Sequence, residues 1–163
     1  MTSSGSPASI PRGATEAAGL RVAILAARFN ADITDSLVVG ATQALLAHGA
    51  AEARIETWRV PGAWQLPQAA SRAVRTGRFD AIIALGCVIR GETPHFDYVC
   101  SEATLGLGAV ARSAPIPLAF GVLTTDDHAQ ALARAGGGPD NKGYESAMAV
   151  LEMVSVFRGL EAD

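Results

Sequence analysis

One stretch of the chain joins a strand to a helix: Ala81-Ile82-Ile83-Ala84-Leu85-Gly86-Cys87-Val88-Ile89-Arg90-Gly91-Glu92-Thr93-Pro94-His95-Phe96-Asp97-Tyr98-Val99. Its first five residues are continuously apolar, which is typical of a strand covered on both faces, and Gly86 ends that run. Thr93 followed by Pro94 is typical of a helix N-cap with proline at the first helical position. The stretch therefore predicts a strand over 81–87, a turn, and a helix over 94–111 with His95 in its first turn.

The same alternation of strand-like and helix-like segments continues along the chain. Further strands are predicted at 21–27, 54–60 and 116–122, and further helices at 33–48, 63–75, 126–135 and 141–157. Four strands that are each followed by a helix indicate a parallel sheet with right-handed crossovers and helices on both faces. We therefore predict an α/β fold, a flavodoxin-like three-layer αβα sandwich with a four-stranded parallel sheet.

Length and composition predict a single domain. The chain has 163 residues, of which 49% are hydrophobic and 18% charged, which is enough for one sizeable core over 20–163. Residues 1–19 are rich in serine, glycine, proline and alanine and lack the apolar core of a signal peptide, so we expect a flexible tail and a cytoplasmic location. No apolar run approaches the roughly twenty residues that cross a bilayer, which argues against a membrane protein.

The charge and the cysteine content argue against several other classes of protein. The net charge is −3 and the basic residues are scattered, so nucleic-acid binding has little support. Cys87 and Cys100 belong to no Cys-x-x-Cys motif or His/Cys cluster, which argues against a zinc site and does not imply a disulfide. We expect both thiols to be small buried side chains. His48 and His128 have no partner motif nearby, and we expect neither to be catalytic.

The fold predicts where chemistry takes place, because ligands of open parallel sheets bind beyond the carboxyl ends of the strands. His95 lies in the first turn of a predicted helix, where peptide dipoles disfavour an imidazolium, so we expect a neutral ring that can accept a proton. Phe29 directly follows a strand and can stack on a flat heterocycle, although a core role is the alternative. Arg134 and Lys142 flank a glycine-rich break, where they can clamp a phosphate or simply end solvated helices.

Several motifs together resemble the lumazine synthase family of riboflavin biosynthesis. The family's loop reads Gly-x-Val-Ile-Arg-Gly-x-Thr-x-His, followed by an aromatic residue and Asp-Tyr-Val, as 86–99 does. Other family motifs recur in order: Ala27-Arg28-Phe29-Asn30, Val60-Pro61-Gly62-Ala63, Phe120-Gly121-Val122-Leu123-Thr124-Thr125, Arg134-Ala135-Gly136 and Asn141-Lys142-Gly143. The resemblance extends from about residue 21 to residue 158.

The resemblance implies condensation of 5-amino-6-(D-ribitylamino)uracil with 3,4-dihydroxy-2-butanone 4-phosphate, without a metal or cofactor. It implies that His95 transfers protons and that Arg134 binds the phosphate. It implies substrate contacts from Phe29, Asn30, Gly62, Ala63, Trp64, Gln65, Cys87, Val88, Ile89, Glu92, Thr93, Phe120 and Lys142. Family sites lie between adjacent chains of a pentamer, so we expect self-association to a pentamer or higher with shared active sites.

One departure from the family pattern keeps a second interpretation open. Trp64-Gln65 stands where the family commonly has phenylalanine or another apolar residue and then glutamate; glutamine keeps hydrogen-bonding capacity but loses the charge. The alternative is a relative that acts mainly as a flavin-binding or shell-forming protein. A flavodoxin is excluded because 27–30 is not a hydroxyl-rich phosphate loop. A phosphorylated receiver domain is excluded because 85–87 lacks an aspartate.

Overall fold

The computed structural model describes residues 13–162, and within them four strands alternate with five α-helices. The strands are β1 (Val22–Ala27), β2 (Ile55–Val60), β3 (Ala81–Ile89) and β4 (Leu118–Thr125). The helices are α1 (Ala31–Ala47), α2 (Leu66–Arg75), α3 (His95–Ser113), α4 (His128–Arg134) and α5 (Lys142–Glu161). Short 3-10 helices at Glu52–Arg54 and Ala63–Gln65 precede β2 and α2.

The strands form one parallel sheet in the order β2-β1-β3-β4. All six residues of β1 are buried, as expected for a strand covered on both faces. Alternate residues of β3 point to opposite faces: Ile83 and Leu85 pack with α1, α4 and α5, whereas Ile82 and Ala84 pack with α2 and α3. The predicted three-layer αβα sandwich with a four-stranded parallel sheet is confirmed.

The predicted end of the third strand at Cys87 was wrong. β3 continues to Ile89 because residues 86–89 pair with Val122–Thr125 of β4, which extends beyond residue 122 as well. Gly86 interrupts the apolar run for a packing reason, since a Cβ there would lie 3.3 Å from Leu66 Cδ1 at the start of α2. The connection from β3 to α3 is therefore only 90–94.

The start of α3 lies one residue later than predicted. His95 is its first residue, and its N–H donates to Thr93 Oγ1 at 3.4 Å. The N-cap is Pro94, in a helical conformation and without a side-chain capping bond, so the predicted N-cap at Thr93 with proline at the first helical position was wrong. The placement of His95 in the first turn of the helix is confirmed.

The described structure begins before the predicted domain boundary at residue 20. Ala17 is fully buried, and its N–H donates to His48 O at 2.8 Å. The Ala14 N–H donates to Ser155 Oγ at 2.9 Å, so residues 14–17 contact α5 and the end of α1. The remainder of the predicted tail, 1–12, lies outside the described residues.

Both cysteines are free thiols, and Cys87 is buried whereas Cys100 is only half-buried. No helix within 13–162 is both long and apolar enough to cross a membrane.

Candidate active site

A cavity of about 600 Å³ opens beyond the carboxyl ends of β1, β2 and β3. The strand order reverses between β1 and β3, which is where an open parallel sheet binds its ligands. The volume lies within the range of small-molecule sites, about 300–1,000 Å³. We call this the first cavity, and ten of the predicted site residues line it: Phe29, Gly62, Ala63, Trp64, Gln65, Cys87, Val88, Ile89, Thr93 and His95.

Four further residues, which were not among the predicted site residues, also line the first cavity: Pro61, Gly91, Phe96 and Val99. Each of the four lies in a sequence motif that contains a predicted site residue. Their proximity to that residue in the sequence is the signal that could have found them. Five predicted site residues do not line this cavity: Asn30, Glu92, Phe120, Arg134 and Lys142. Glu92 is exposed in the 90–94 connection between two residues that do.

Two aromatic side chains stand free at the first cavity. Phe29 is 71% exposed and Trp64 is 50% exposed, so neither ring is used in the core. The Phe29 N–H donates to Pro61 O at 3.1 Å, which holds the end of β1 against the end of β2. The core alternative for Phe29 is therefore wrong, and its ring is available to stack on a planar ligand.

Asn30 connects the start of α1 to the backbone of β3 next to the first cavity. It is the N-cap of α1 with φ of 60°, a left-handed conformation that asparagine tolerates better than most residues. Its Nδ2 donates to Cys87 O at 2.9 Å, which fastens the β1–α1 turn to β3. The observed role of Asn30 is thus to fix the backbone around Cys87.

The thiol of Cys87 is not suited to nucleophilic chemistry. Burial, together with the nearby Asp32 carboxylate, raises the pKa of Cys87 to about 11. A thiol with such a pKa stays protonated near neutral pH, whereas the nucleophile is the thiolate. Cys87 can therefore contribute shape and its backbone to a ligand site.

Gln65 forms hydrogen bonds within its own turn. Its Oε1 accepts from the Gly62 N–H at 3.0 Å, and its backbone N–H donates to Gly62 O at 3.1 Å. The side-chain oxygen therefore stabilises the turn that begins the 3-10 helix at Ala63–Gln65. The amide NH₂ of Gln65 remains as the group that can donate to a ligand.

His95 lines the first cavity with an exposed side chain. Among the residues that the structure describes, no hydrogen bond engages its imidazole. Such a ring is free to exchange a proton with a bound molecule. Neither His48 nor His128 lines this cavity: His48 Nδ1 lies 2.7 Å from Ala44 O, and His128 Nε2 lies 2.6 Å from Asp32 Oδ2.

The remaining predicted residues lie in a second cavity at the free edge of β4. Phe120, Arg134 and Lys142 line this space of about 260 Å³, and none of the residues in the described part of the chain lines both cavities. Arg134 Nη1 donates to Gln130 O at 2.9 Å, and Lys142 Nζ lies 2.7 Å from Glu145 Oε2. Within one chain, the predicted phosphate-binding residues and His95 therefore do not form one site.

Asn141 holds the start of α5 in place beside the second cavity. This buried residue caps α5 through its Oδ1, which accepts from the N–H groups of Gly143 and Tyr144 at 2.8 and 3.1 Å. Its Nδ2 donates to Ser36 O at 3.1 Å and to Gly136 O at 2.8 Å. These four bonds hold the start of α5, and with it Lys142, against α1 and the loop after Arg134. This capping role of Asn141 was not predicted from the sequence.

Within residues 13–162, no group of three His, Cys, Asp or Glu side chains is arranged to bind a metal ion.

Comparison with known proteins agrees with the motif resemblance. Residues 19–158 match the family described as 6,7-dimethyl-8-ribityllumazine synthase. A relative from Chlorobium phaeobacteroides with that name is 49% identical over 90% of this chain and 94% of its own length. Relatives of the same name from Desulfatibacillum aliphaticivorans and Chlorobium chlorochromatii are 49% and 45% identical, over 88% and 90% of this chain and 93% and 94% of their own lengths.

Proposed function

The chain belongs to the 6,7-dimethyl-8-ribityllumazine synthase family, and we propose that it condenses 5-amino-6-(D-ribitylamino)uracil with 3,4-dihydroxy-2-butanone 4-phosphate in riboflavin biosynthesis. The products are 6,7-dimethyl-8-ribityllumazine, inorganic phosphate and water. The observation that carries this proposal is the first cavity, where an exposed aromatic ring, a glycine turn and a helix-start histidine come together.

The pyrimidine substrate occupies the first cavity in this proposal. The exposed face of Phe29 stacks on its flat ring, since aromatic side chains prefer such contacts once they are desolvated. The ribityl chain follows the turn at Gly62, whose small residues let a ligand approach the backbone. The NH₂ group of Gln65 donates to a ribityl hydroxyl, while its Oε1 remains bonded to the Gly62 N–H.

His95 moves protons between the reacting groups. The amino nitrogen of the pyrimidine attacks the ketone carbon and water leaves, which forms an imine. A carbon-bound proton is then removed as the C–O bond to phosphate breaks, and the resulting enol takes up a proton at its terminal carbon to become a methyl ketone. The ribityl-bearing nitrogen attacks this ketone carbon and closes the ring with loss of a second water. An uncharged imidazole can accept and return these protons, and alignment of the two substrates contributes much of the rate.

The phosphate is bound by a neighbouring copy of the chain. Among the described residues 13–162, those that line the first cavity include no lysine or arginine, whereas the second cavity has Arg134 and Lys142. A departing phosphate needs cations, which a guanidinium supplies through paired hydrogen bonds. We infer that the second cavity of one copy completes the first cavity of the next.

Such an arrangement leads to a ring. The two cavities are different surfaces, so the contact between copies is heterologous, and heterologous contacts of suitable rotation close into rings. The family resemblance implies five copies, and we propose a pentamer or a larger assembly of pentamers. We also propose a cytoplasmic location, because two free thiols suit a reducing compartment.

The proposal is tested by mixing the purified protein with both substrates. We expect lumazine absorbance to appear together with one phosphate per product, and light scattering to show at least a pentamer. Lumazine formation by a monomer would contradict the shared site. Flavin binding without lumazine formation would support the flavin-binding alternative instead.

Gln65→Glu is expected to lower KM for the pyrimidine several-fold. One carboxylate oxygen can still accept from the Gly62 N–H, and the other offers a charged acceptor to a ribityl hydroxyl. A charged partner strengthens a hydrogen bond by about 1 kcal/mol, which corresponds to roughly fivefold in affinity. Steady-state kinetics with the pyrimidine varied at saturating butanone phosphate measure the effect.

Gln68→Glu is the matched control, because Gln68 is an exposed glutamine on the first turn of α2. It introduces the same charge without the contact to Gly62, so KM is expected to stay within about twofold. If both variants lower KM equally, the effect is long-range attraction and Gln65 does not contact the ribityl chain.

A further inference from the structure

Arg90 joins the segments around the first cavity although it does not line that cavity. It follows β3 directly, and its backbone N–H donates to Thr125 O at 2.9 Å, one step beyond the last pair of the β3–β4 ladder. Its side-chain Nε donates to Asp126 Oδ1 at 2.9 Å in the loop that leads to α4. The backbone of Arg90 is therefore held by the last residue of β4, and its side chain by the β4–α4 connection.

The same guanidinium contacts the first turn of α3. Its Cζ lies 4.4 Å from the centre of the Phe96 ring, and its Nη1 lies 3.7 Å from Asp97 Oδ1. Phe96 and Asp97 directly follow His95, and Phe96 lines the first cavity beside it. A planar guanidinium is suited to stacking on a ring while it donates in its own plane.

The contacts of Arg90 orient the first turn of α3 and contribute little to the stability of the protein. The side chains of Arg90, Asp97 and Asp126 are 50%, 67% and 67% exposed, and exposed ion pairs add little to the free energy of unfolding. Since no hydrogen bond within residues 13–162 engages the imidazole of His95, its location follows from the backbone of this first turn. Arg90 holds the two residues that continue that turn.

We propose that Arg90 is a positioning residue for His95, and that its guanidinium sets the place of the imidazole by linking Phe96 and Asp97 to Asp126 of the β4–α4 loop. The inference deepens the proposed function and rests on it, because it assigns to Arg90 a role in the proton transfers of His95. Displacement of a reacting group by about 1 Å is enough to slow an oriented reaction.

Arg90→Lys tests the proposal, because lysine keeps the charge but loses the planar fork and the stacking surface. We expect kcat to fall about tenfold while KM for each substrate stays within about twofold, since substrate contacts are untouched. Arg78→Lys is the matched control. Arg78 stacks 4.7 Å from the Phe79 ring and donates to Glu56 at 2.9 Å, but it precedes β3 at the end of the sheet away from the cavity.

The double variant Arg90→Lys with His95→Ala separates positioning from a merely structural role. If Arg90 acts through His95, the lysine substitution causes no further loss of kcat once the imidazole is gone. A further tenfold loss in the double variant, or an equal loss in Arg78→Lys, would overturn the proposal.

Asp126→Asn provides a second variant in case Arg90→Lys does not fold. It weakens the bond to Nε and leaves Arg90 in place, so we expect kcat to fall about threefold with unchanged KM. An unchanged kcat in this variant contradicts the proposal.

Crystal structures of the unchanged protein, Arg90→Lys and Arg78→Lys give a readout that does not depend on the reaction. We expect the imidazole of His95 to shift in Arg90→Lys alone, and an unmoved imidazole overturns the proposal. If the unchanged protein forms no lumazine, the proposed function fails, and this comparison still decides whether Arg90 positions His95.

Discussion

His95→Ala is expected to lower kcat for lumazine formation by about ten- to a hundredfold, because the variant loses the group that transfers protons at the first cavity. The loss is not larger because alignment of the two substrates supplies much of the rate and is retained. Since the exposed imidazole has no hydrogen bond to other residues within 13–162, its removal leaves the fold intact. Steady-state kinetics and a thermal unfolding curve measure both effects.

His128→Ala is the matched control for this variant. His128 is also an exposed histidine and the first residue of a helix, α4, but it pairs with Asp32 and lies outside both cavities. We expect its kcat to stay within about twofold, since an exposed pair contributes little. An unchanged kcat in folded His95→Ala would remove His95 from the mechanism.

Arg134→Gln is expected to raise KM for the butanone phosphate at least tenfold and to affect KM for the pyrimidine much less. A charge-assisted hydrogen bond contributes about 1.5–3 kcal/mol, which corresponds to roughly ten- to a hundredfold in affinity. Arg158→Gln, near the end of α5 and outside both cavities, is the control for loss of a positive charge. Equal increases of both KM values in Arg134→Gln would indicate a defect of folding or assembly.

Hybrid assemblies test the shared site directly. If chains with His95→Ala and chains with Arg134→Gln are co-expressed, about a quarter of the interfaces in a random ring combine an intact first cavity with an intact second one. At low butanone phosphate, we expect the hybrid to regain about a quarter of the unmodified activity, well above either variant alone. Activity equal to the average of the two separate variants would show that each chain supplies its whole site.

Local patterns along the chain were sufficient to predict the layer architecture. Strand 22–27 is continuously apolar, and strand-like and helix-like segments alternate along the chain, so these elements follow from neighbouring residues. The ends of strands do not. β3 continues past Gly86 because β4, far along the chain, supplies pairing partners up to Thr125. Pairing of this kind is a property of two segments and cannot be read from one.

The candidate site was predictable for a related reason. In a parallel sheet the loops after the strands meet at one edge whatever their sequence separation, so the loops 28–30, 61–64, 88–95 and 123–125 are expected to adjoin. The first three contribute residues to the first cavity, whereas Leu123 and Thr124 line the second cavity. The motif resemblance then indicated which side chains in those loops face a ligand. For Phe29 the choice between core and surface depended on the packing around it, and its 71% exposure decides that choice.

The fold class, the edge of the sheet that holds the first cavity and the family of the motifs thus follow from local patterns along the chain. Three features follow only from how the elements pack together: Arg134 and Lys142 line a separate cavity, Gln65 bonds to Gly62, and Arg90 links Phe96 to Asp126. The difference arises because hydrophobic period and capping act over one or two turns of chain. Side-chain contacts depend on the distance and direction between elements, which packing sets after the elements have formed.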